Sequence, residues 1–116
     1  MAAEIVREAI LENLREEVPH ATAILVDSWD DTPKLVRIAA TIYVERTGQK
    51  AILIGTKGQV LKKIGTAARL ELERLLQRKV FLSLFVKVKP NWREDSSFLD
   101  AVDWRSMVGS EDKRPK

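Results

Sequence analysis

The apolar positions of this chain fall into stretches of helical period and stretches of strand period, and the changes between them mark its elements. Ile5, Ala9, Ile10, Leu14 and Val18 recur at helical spacing within Glu4 to Val18 and leave Arg7, Glu8, Glu12 and Arg15 off the stripe, which predicts an amphipathic first helix. Pro19 and His20 break that period, and His20 is read as a loop residue without a role. From Thr22 to Trp29 the run is β-branched and apolar, and Asp30-Asp31-Thr32-Pro33 follows with turn chemistry, so a strand and a turn are expected. Val36, Ile38, Ala40, Ile42 and Val44 then alternate with Arg37, Ala39, Thr41, Tyr43 and Glu45, the period of a strand with one buried face. The short connection makes this strand the antiparallel partner of the first.

Thr47-Gly48 reads as a turn, and Lys50 to Ile54 as a short helix leading into a glycine loop. Beyond it Leu61, Ile64, Ala68, Leu72 and Leu75 step by three or four, predicting the longest helix of the chain. Gly65 lies inside that helix at a propensity cost of about 1 kcal/mol relative to alanine, which points to close packing against a neighbour. Val80, Leu82, Leu84, Val86 and Val88 alternate with Phe81, Ser83, Phe85, Lys87 and Lys89 until Pro90 ends a third strand. A helical crossover precedes that strand, so it is expected to lie parallel to a neighbour, with the two phenylalanines and two lysines on its exposed face. Asn91 to Trp104 is expected to be one short helix capped by Asn91, with Glu94 and Asp95 in its first turn and Phe98, Leu99 and Val102 inward. Trp92 and Trp104 read as packing anchors for it. The order amounts to an α+β two-layer domain, α-β-β-α-α-β, with a three-stranded mixed sheet and a short C-terminal helix.

Leu53 to Ile64, L-I-G-T-K-G-Q-V-L-K-K-I, is the stretch that carries candidate chemistry. Gly55 and Gly58 bracket Thr56-Lys57 between an apolar run and an amphipathic one, and glycine lets the backbone take positive φ and approach a ligand closely. Amides at the start of a helix, with Lys57, Lys62 and Lys63 beside them, suit a phosphate through hydrogen bonding and the helix dipole.

Charge concentrates on the same stretch. The formal net charge is +3, yet residues 1 to 49 hold 5 Lys/Arg against 9 Asp/Glu, residues 50 to 89 hold 10 against 2, and residues 90 to 116 hold 5 against 6. A positive field over the third that contains the loop is what a polyanion-binding face requires. At 116 residues one domain is expected, spanning 1 to 106, with a charged flexible tail over 107 to 116. There is no cysteine and one histidine, so disulfides, thiolate metal sites and histidine clusters are excluded. No apolar run is long enough to span a bilayer, and a cytoplasmic location is expected.

Leu53-Ile54-Gly55-Thr56-Lys57-Gly58 followed by Leu61 and Ile64 resembles the KH-domain signature, a GXXG loop between two helices. With a helix and strand before the core, the order is similar to the type II KH fold. Glu45 to Lys50 (E-R-T-G-Q-K), Ile64 to Arg69 (I-G-T-A-A-R) and Val86 to Trp92 (V-K-V-K-P-N-W) further resemble the C-terminal KH domain of the Era family of ribosome-assembly GTPases, over roughly residues 4 to 104. That resemblance implies binding of single-stranded RNA, specifically the 3′ end of small-subunit ribosomal RNA, and association with the small ribosomal subunit. It also implies a GTPase domain ahead of this module. The chain contains no G-x-x-x-x-G-K-[ST], and Gly55-Thr56-Lys57-Gly58 lacks the residues that would reach terminal phosphates and magnesium, so no GTP hydrolysis is assigned to it. An isolated, monomeric RNA-binding domain without cofactor or metal is expected.

On this reading the RNA backbone passes over the amides of Gly55, Thr56, Lys57 and Gly58 and the helix start at Gln59, while a few bases lie in an apolar groove beside the loop and meet Ile54, Val60 or Leu61 and the neighbouring strand. Lys57 with Lys62 or Lys63 attracts phosphates. Ala40 and Ile42 are candidate floor residues for the bases, although buried alternation on a strand more often marks plain core. The alternative is a protein-interaction module that docks a partner through Phe81 and Phe85 on an exposed sheet face. An enzyme fares poorly: Glu4, Glu8 and Glu12 have the spacing of a solvated helix face, and Asp27, Asp30 and Asp31 near a turn are explained by turn chemistry.

Overall fold

The computed structural model describes residues 2–14 and 21–106. The distal end of the first predicted helix, His20 and the predicted tail lie outside the described residues. Helix α1 (Ala2–Asn13) is followed by β1 (Ala21–Asp31), β2 (Leu35–Val44), α2 (Thr47–Ile54), a single 3-10 turn (Thr56–Gly58), α3 (Gln59–Leu76) and β3 (Lys79–Val88). A second 3-10 turn (Trp92–Glu94), α4 (Ser96–Ala101) and β4 (Asp103–Ser106) complete the order.

The three predicted strands pair as a mixed sheet. β1 runs antiparallel to β2, with a register shift between Val26 and Ser28. β2 and β3 are parallel over their whole length, from Leu35 opposite Lys79 to Val44 opposite Val88. The crossover through α2 and α3 is what allows that parallel pairing. The alternating apolar set of β2, from Val36 to Val44, is buried on the helix side. Over it pack Val6 and Ile10 of α1, Leu53 of α2, and Ile64, Ala68 and Leu72 of α3. At the hairpin, Thr32 Oγ1 donates to the Leu35 carbonyl at 2.6 Å and closes the turn that Pro33 signals.

Two local expectations are corrected. The helix after β2 begins at Thr47, not at Lys50, because the Gln49 side-chain oxygen accepts from the backbone N–H groups of Glu45 and Arg46 at 3.0 Å each and organises the first turn. The segment after β3 is not one helix capped by Asn91. Asn91 sits in the left-handed region at φ 57, and the cap of α4 is Asp95, whose Oδ1 accepts from the Phe98 N–H at 3.0 Å. That N–H, with Lys89 adding to it, holds the Asp95 carboxyl below the usual carboxylate range. Val102 is extended, and Asp103–Ser106 pair antiparallel with Ala21–Ile24, adding a fourth strand in the order β3-β2-β1-β4. This strand covers the edge of β1 that would otherwise present unpaired backbone groups.

The C-terminal segment packs on the sheet face opposite the helices. Trp92 is fully buried there with Ala23 and Val102, and Phe98 and Leu99 close over Leu25 and Tyr43. Phe98 meets Tyr43 edge to face at 4.9 Å between centroids. Trp92, Phe98, Leu99 and Val102 thus turn inward as expected. Trp104 lies in β4 opposite Ala23, and its side chain is outside what is described.

Candidate nucleic-acid interface

Three of the four residues from Gly55 to Gly58 have positive φ: Gly55 at 74, Lys57 at 56 and Gly58 at 77. Gly55 ends α2, its N–H bonded to the Ala51 carbonyl at 2.8 Å, and its φ/ψ of 74/178 belongs to a region nearly closed to other residues. A Cβ on Gly55 would lie 2.4 Å from Val60 Cγ2, so the first turn of α3 sits directly against the loop backbone. Gly58 is left-handed with open space around it, and it initiates α3 without any side-chain cap. The Gly58 and Gln59 N–H groups are bonded to the Gly55 and Thr56 carbonyls, and the loop lies at the positive end of an 18-residue helix whose start carries no side-chain cap.

Thr56, Lys57, Gln59, Lys62 and Lys63 are exposed, and Ile54, Val60 and Leu61 are half-buried at the loop's base. Among the described residues none of the three lysines forms an ion pair, which leaves their charge available. Ala40 and Ile42 are corrected: both are fully buried in the core beneath the helices and offer no surface to a base.

What sequence reasoning missed is the strand that walls the expected apolar groove: it is β3 and not the β2 of Ala40 and Ile42, and the groove, of about 370 Å³, starts at the loop end of α3 and runs between α3 and β3. Leu61, Lys62, Gly65, Thr66 and Arg69 line it from the helix, Leu82 and Leu84 from the strand. From Lys62 to Arg69 it is roughly 10 Å long at 1.5 Å per residue. Among the described residues β3 is the end strand of the sheet, so the row of backbone N–H and C=O groups on its outer edge has no strand partner, and of these the Val80 N–H is taken by Glu73. Leu82 and Leu84 follow the buried alternation, yet α3 leaves them only half covered. The available signal was Gly65. A Cβ there would reach Leu84 Cδ1 at 3.7 Å, an ordinary contact, so close packing does not demand the glycine, and its effect is to keep the groove wide.

Arg69 at the far end pairs with Glu73 at 3.2 Å, and Glu73 also accepts the Val80 N–H at 3.0 Å. The Val80 N–H first, and the Arg69 guanidinium after it, hold the Glu73 carboxyl below the usual glutamate range. The three aspartates near the first hairpin do not converge: Asp27 accepts from Thr41 at 2.7 Å, Asp31 is bound by Arg78, and Asp30 lies opposite Arg37. Among the described residues no helix is long and apolar enough to cross a membrane.

A family model described as KH domain matches residues 17–93. GTPase Era of Geobacter metallireducens is 56% identical over 106 residues, covering 90% of this chain and 36% of that protein. GTPase Era of Thermotoga petrophila is 58% identical over 95 residues, covering 81% of this chain and 32% of that protein. The chain thus spans about a third of the length of the curated relatives it matches. Among solved structures, Era of Aquifex aeolicus bound to GDP and aluminium fluoride superposes with a TM-score of 0.78 at 44% identity, over 84% of this chain and 34% of that one. Era in complex with MgGDPNP and nucleotides 1506–1542 of 16S ribosomal RNA gives the same TM-score and identity, over 84% of this chain and 33% of that one. By its α-β-β-α-α-β core, the loop between its two central helices and these similarities, the chain belongs to the KH-domain family and is similar to the KH domain of Era.

Proposed function

We propose that this chain binds single-stranded RNA, with the backbone of the nucleic acid over Gly55–Gly58 and its bases in the groove between α3 and β3. The observation that carries this reading is the loop itself: no side-chain cap at the start of α3, positive φ at Gly55, Lys57 and Gly58, and Lys57, Lys62 and Lys63 exposed beside them. Amides satisfy phosphate oxygens by geometry, and the lysines add an attraction that falls with salt. KH modules clamp about four nucleotides in this way. The apolar wall of Leu61, Leu82 and Leu84 receives base faces, and the free edge of β3 offers backbone donors and acceptors to base edges.

The Era relative solved with nucleotides 1506–1542 of 16S ribosomal RNA supports a small-subunit ribosomal RNA as the ligand; ribosome assembly in the cytoplasm is the setting we propose. Within this reading the chain is a monomeric binding domain on the small subunit and performs no catalysis; the GTPase activity named for its relatives belongs to other parts of those proteins.

Replacing Thr56 and Lys57 together by aspartate tests the site. Both side chains are exposed, so circular dichroism and the melting temperature should stay near wild type, while two carboxylates face the phosphates. Affinity for a labelled RNA of nucleotides 1506–1542, read by fluorescence anisotropy, should fall about tenfold or more. Unchanged affinity in a folded variant would refute the assignment.

A further inference from the structure

The outward face of β3 is left unused by the loop and groove. Its side chains are Lys79, Phe81, Ser83, Phe85 and Lys87, with Lys89 just past the strand end, and no carboxylate is among them. Phe81 and Phe85 are 60% and 52% exposed, although they stand on a strand whose other face is core. In register beside them on β2, Arg37 lies opposite Phe81 and Thr41 opposite Phe85. Arg37 and Lys87 are exposed, and among the described residues neither makes an ion pair. Toward β1 the face turns acidic, where Asp30 lies opposite Arg37 and Asp27 is bound to Thr41. The C-terminal segment covers the other end of the face, with Lys89 held at 3.4 Å from Asp95 and over the Phe98 ring.

We infer that this face is a second RNA track, continuous with the groove across the free edge of β3, on which Phe81 and Phe85 stack bases while Lys87 and Arg37 draw the phosphates. The inference rests on the RNA reading above. Continuity follows from the strand: Leu82 and Leu84 line the groove and alternate with Phe81 and Phe85 on the opposite face. A clamp on about four nucleotides obliges a longer strand to leave it, and the edge of β3 borders the groove along Leu82 and Leu84. The chemistry selects nucleic acid over a protein partner. Protein interface cores are depleted in lysine, whereas exposed aromatics interleaved with basic residues are the stacking platforms of single-strand binders. The acidic β1 side confines the track to β3.

The test compares the RNA of nucleotides 1506–1542 with a five-nucleotide single-stranded piece of it, on the full chain and three variants. Phe81→Ser with Phe85→Ser should weaken the long RNA about tenfold or more and leave the short one unchanged. Lys87→Glu, which keeps both rings, should weaken the long RNA only and lower its salt slope by about one contact or less. The Thr56→Asp, Lys57→Asp variant should weaken both RNAs. If the phenylalanine and lysine variants bind the long RNA like wild type while the loop variant loses it, the track is refuted and the loop stands; a face reserved for a protein partner gives that result. If the phenylalanine variant weakens both RNAs equally, the rings act through the groove or the fold and the track is likewise refuted. If the loop variant binds both RNAs like wild type, the loop reading itself fails.

Discussion

At the residue scale the two loop glycines have different reasons to be glycine. Gly55 has no room, its missing Cβ falling on Val60, and Gly58 has room but a left-handed backbone. Gly55→Ala should therefore lower stability by about 2–3 kcal/mol and shift the start of α3, whereas Gly58→Ala should cost about 1 kcal/mol. Urea denaturation of the two variants checks the order, and equal losses would contradict it. Both glycines were legible in the sequence; the left-handed Lys57 between them was not, since lysine carries no signal for positive φ. Gly65 gives an opposite prediction. Alanine there finds only an ordinary contact with Leu84 and gains helix propensity, so Gly65→Ala should raise stability by up to about 1 kcal/mol while weakening RNA several-fold by narrowing the groove. Thermal melting and anisotropy on the same sample decide it: a gain in both would show that the groove does not take bases.

At the scale of elements, Glu73 ties α3 to β3 through the Val80 N–H and to Arg69 beside the groove. Its folded carboxyl is held below the ordinary glutamate range, so the folded state releases this proton more readily than the unfolded chain. The stabilisation is present in full above the unfolded value and is lost as pH falls through the lower folded value. Asp31 beside Arg78, Glu71 beside Arg74, and Asp95 at the α4 cap are shifted in the same direction. Unfolding temperature should thus decline on acidification, and Glu73→Gln should start lower at neutral pH and decline less steeply, with a remainder from the other carboxylates. A steeper acid decline in the variant would contradict the assigned cause. Periodicity disclosed α1, the three main strands and α3 because each buries a regular stripe. It did not disclose β4, since four residues pairing with the distant edge of β1 leave no local pattern, nor the capping side chains Gln49 and Asp95, which act through a few local hydrogen bonds.

For the whole molecule, the excess of basic residues in 50 to 89 translates into one side of the domain, because the loop, α3 and β3 are neighbours there. The position of the loop and its charge could be read from Leu53 to Ile64. That an apolar groove lies beside the loop could be read as well; its strand wall could not, because whether Leu82 and Leu84 are sealed depends on how far α3 reaches over the sheet edge, and Ala40 and Ile42 were placed on the wrong side of that boundary. If the basic side binds phosphates, log affinity should fall linearly with log salt at about 0.7 per phosphate contact for a single strand, and Lys62→Ala should reduce that slope by one contact or less. A salt-independent affinity would favour an apolar protein dock.

The most direct measurement is the backbone amide spectrum of isotope-labelled chain as RNA of nucleotides 1506–1542 is added. The account predicts the largest shifts at Gly55 to Lys62, further shifts along Leu82 to Phe85, and little change at Ala40 in the core or at Val6 in α1. Shifts centred on α1, with the amides of Gly55 to Gly58 unmoved at saturation, would contradict it.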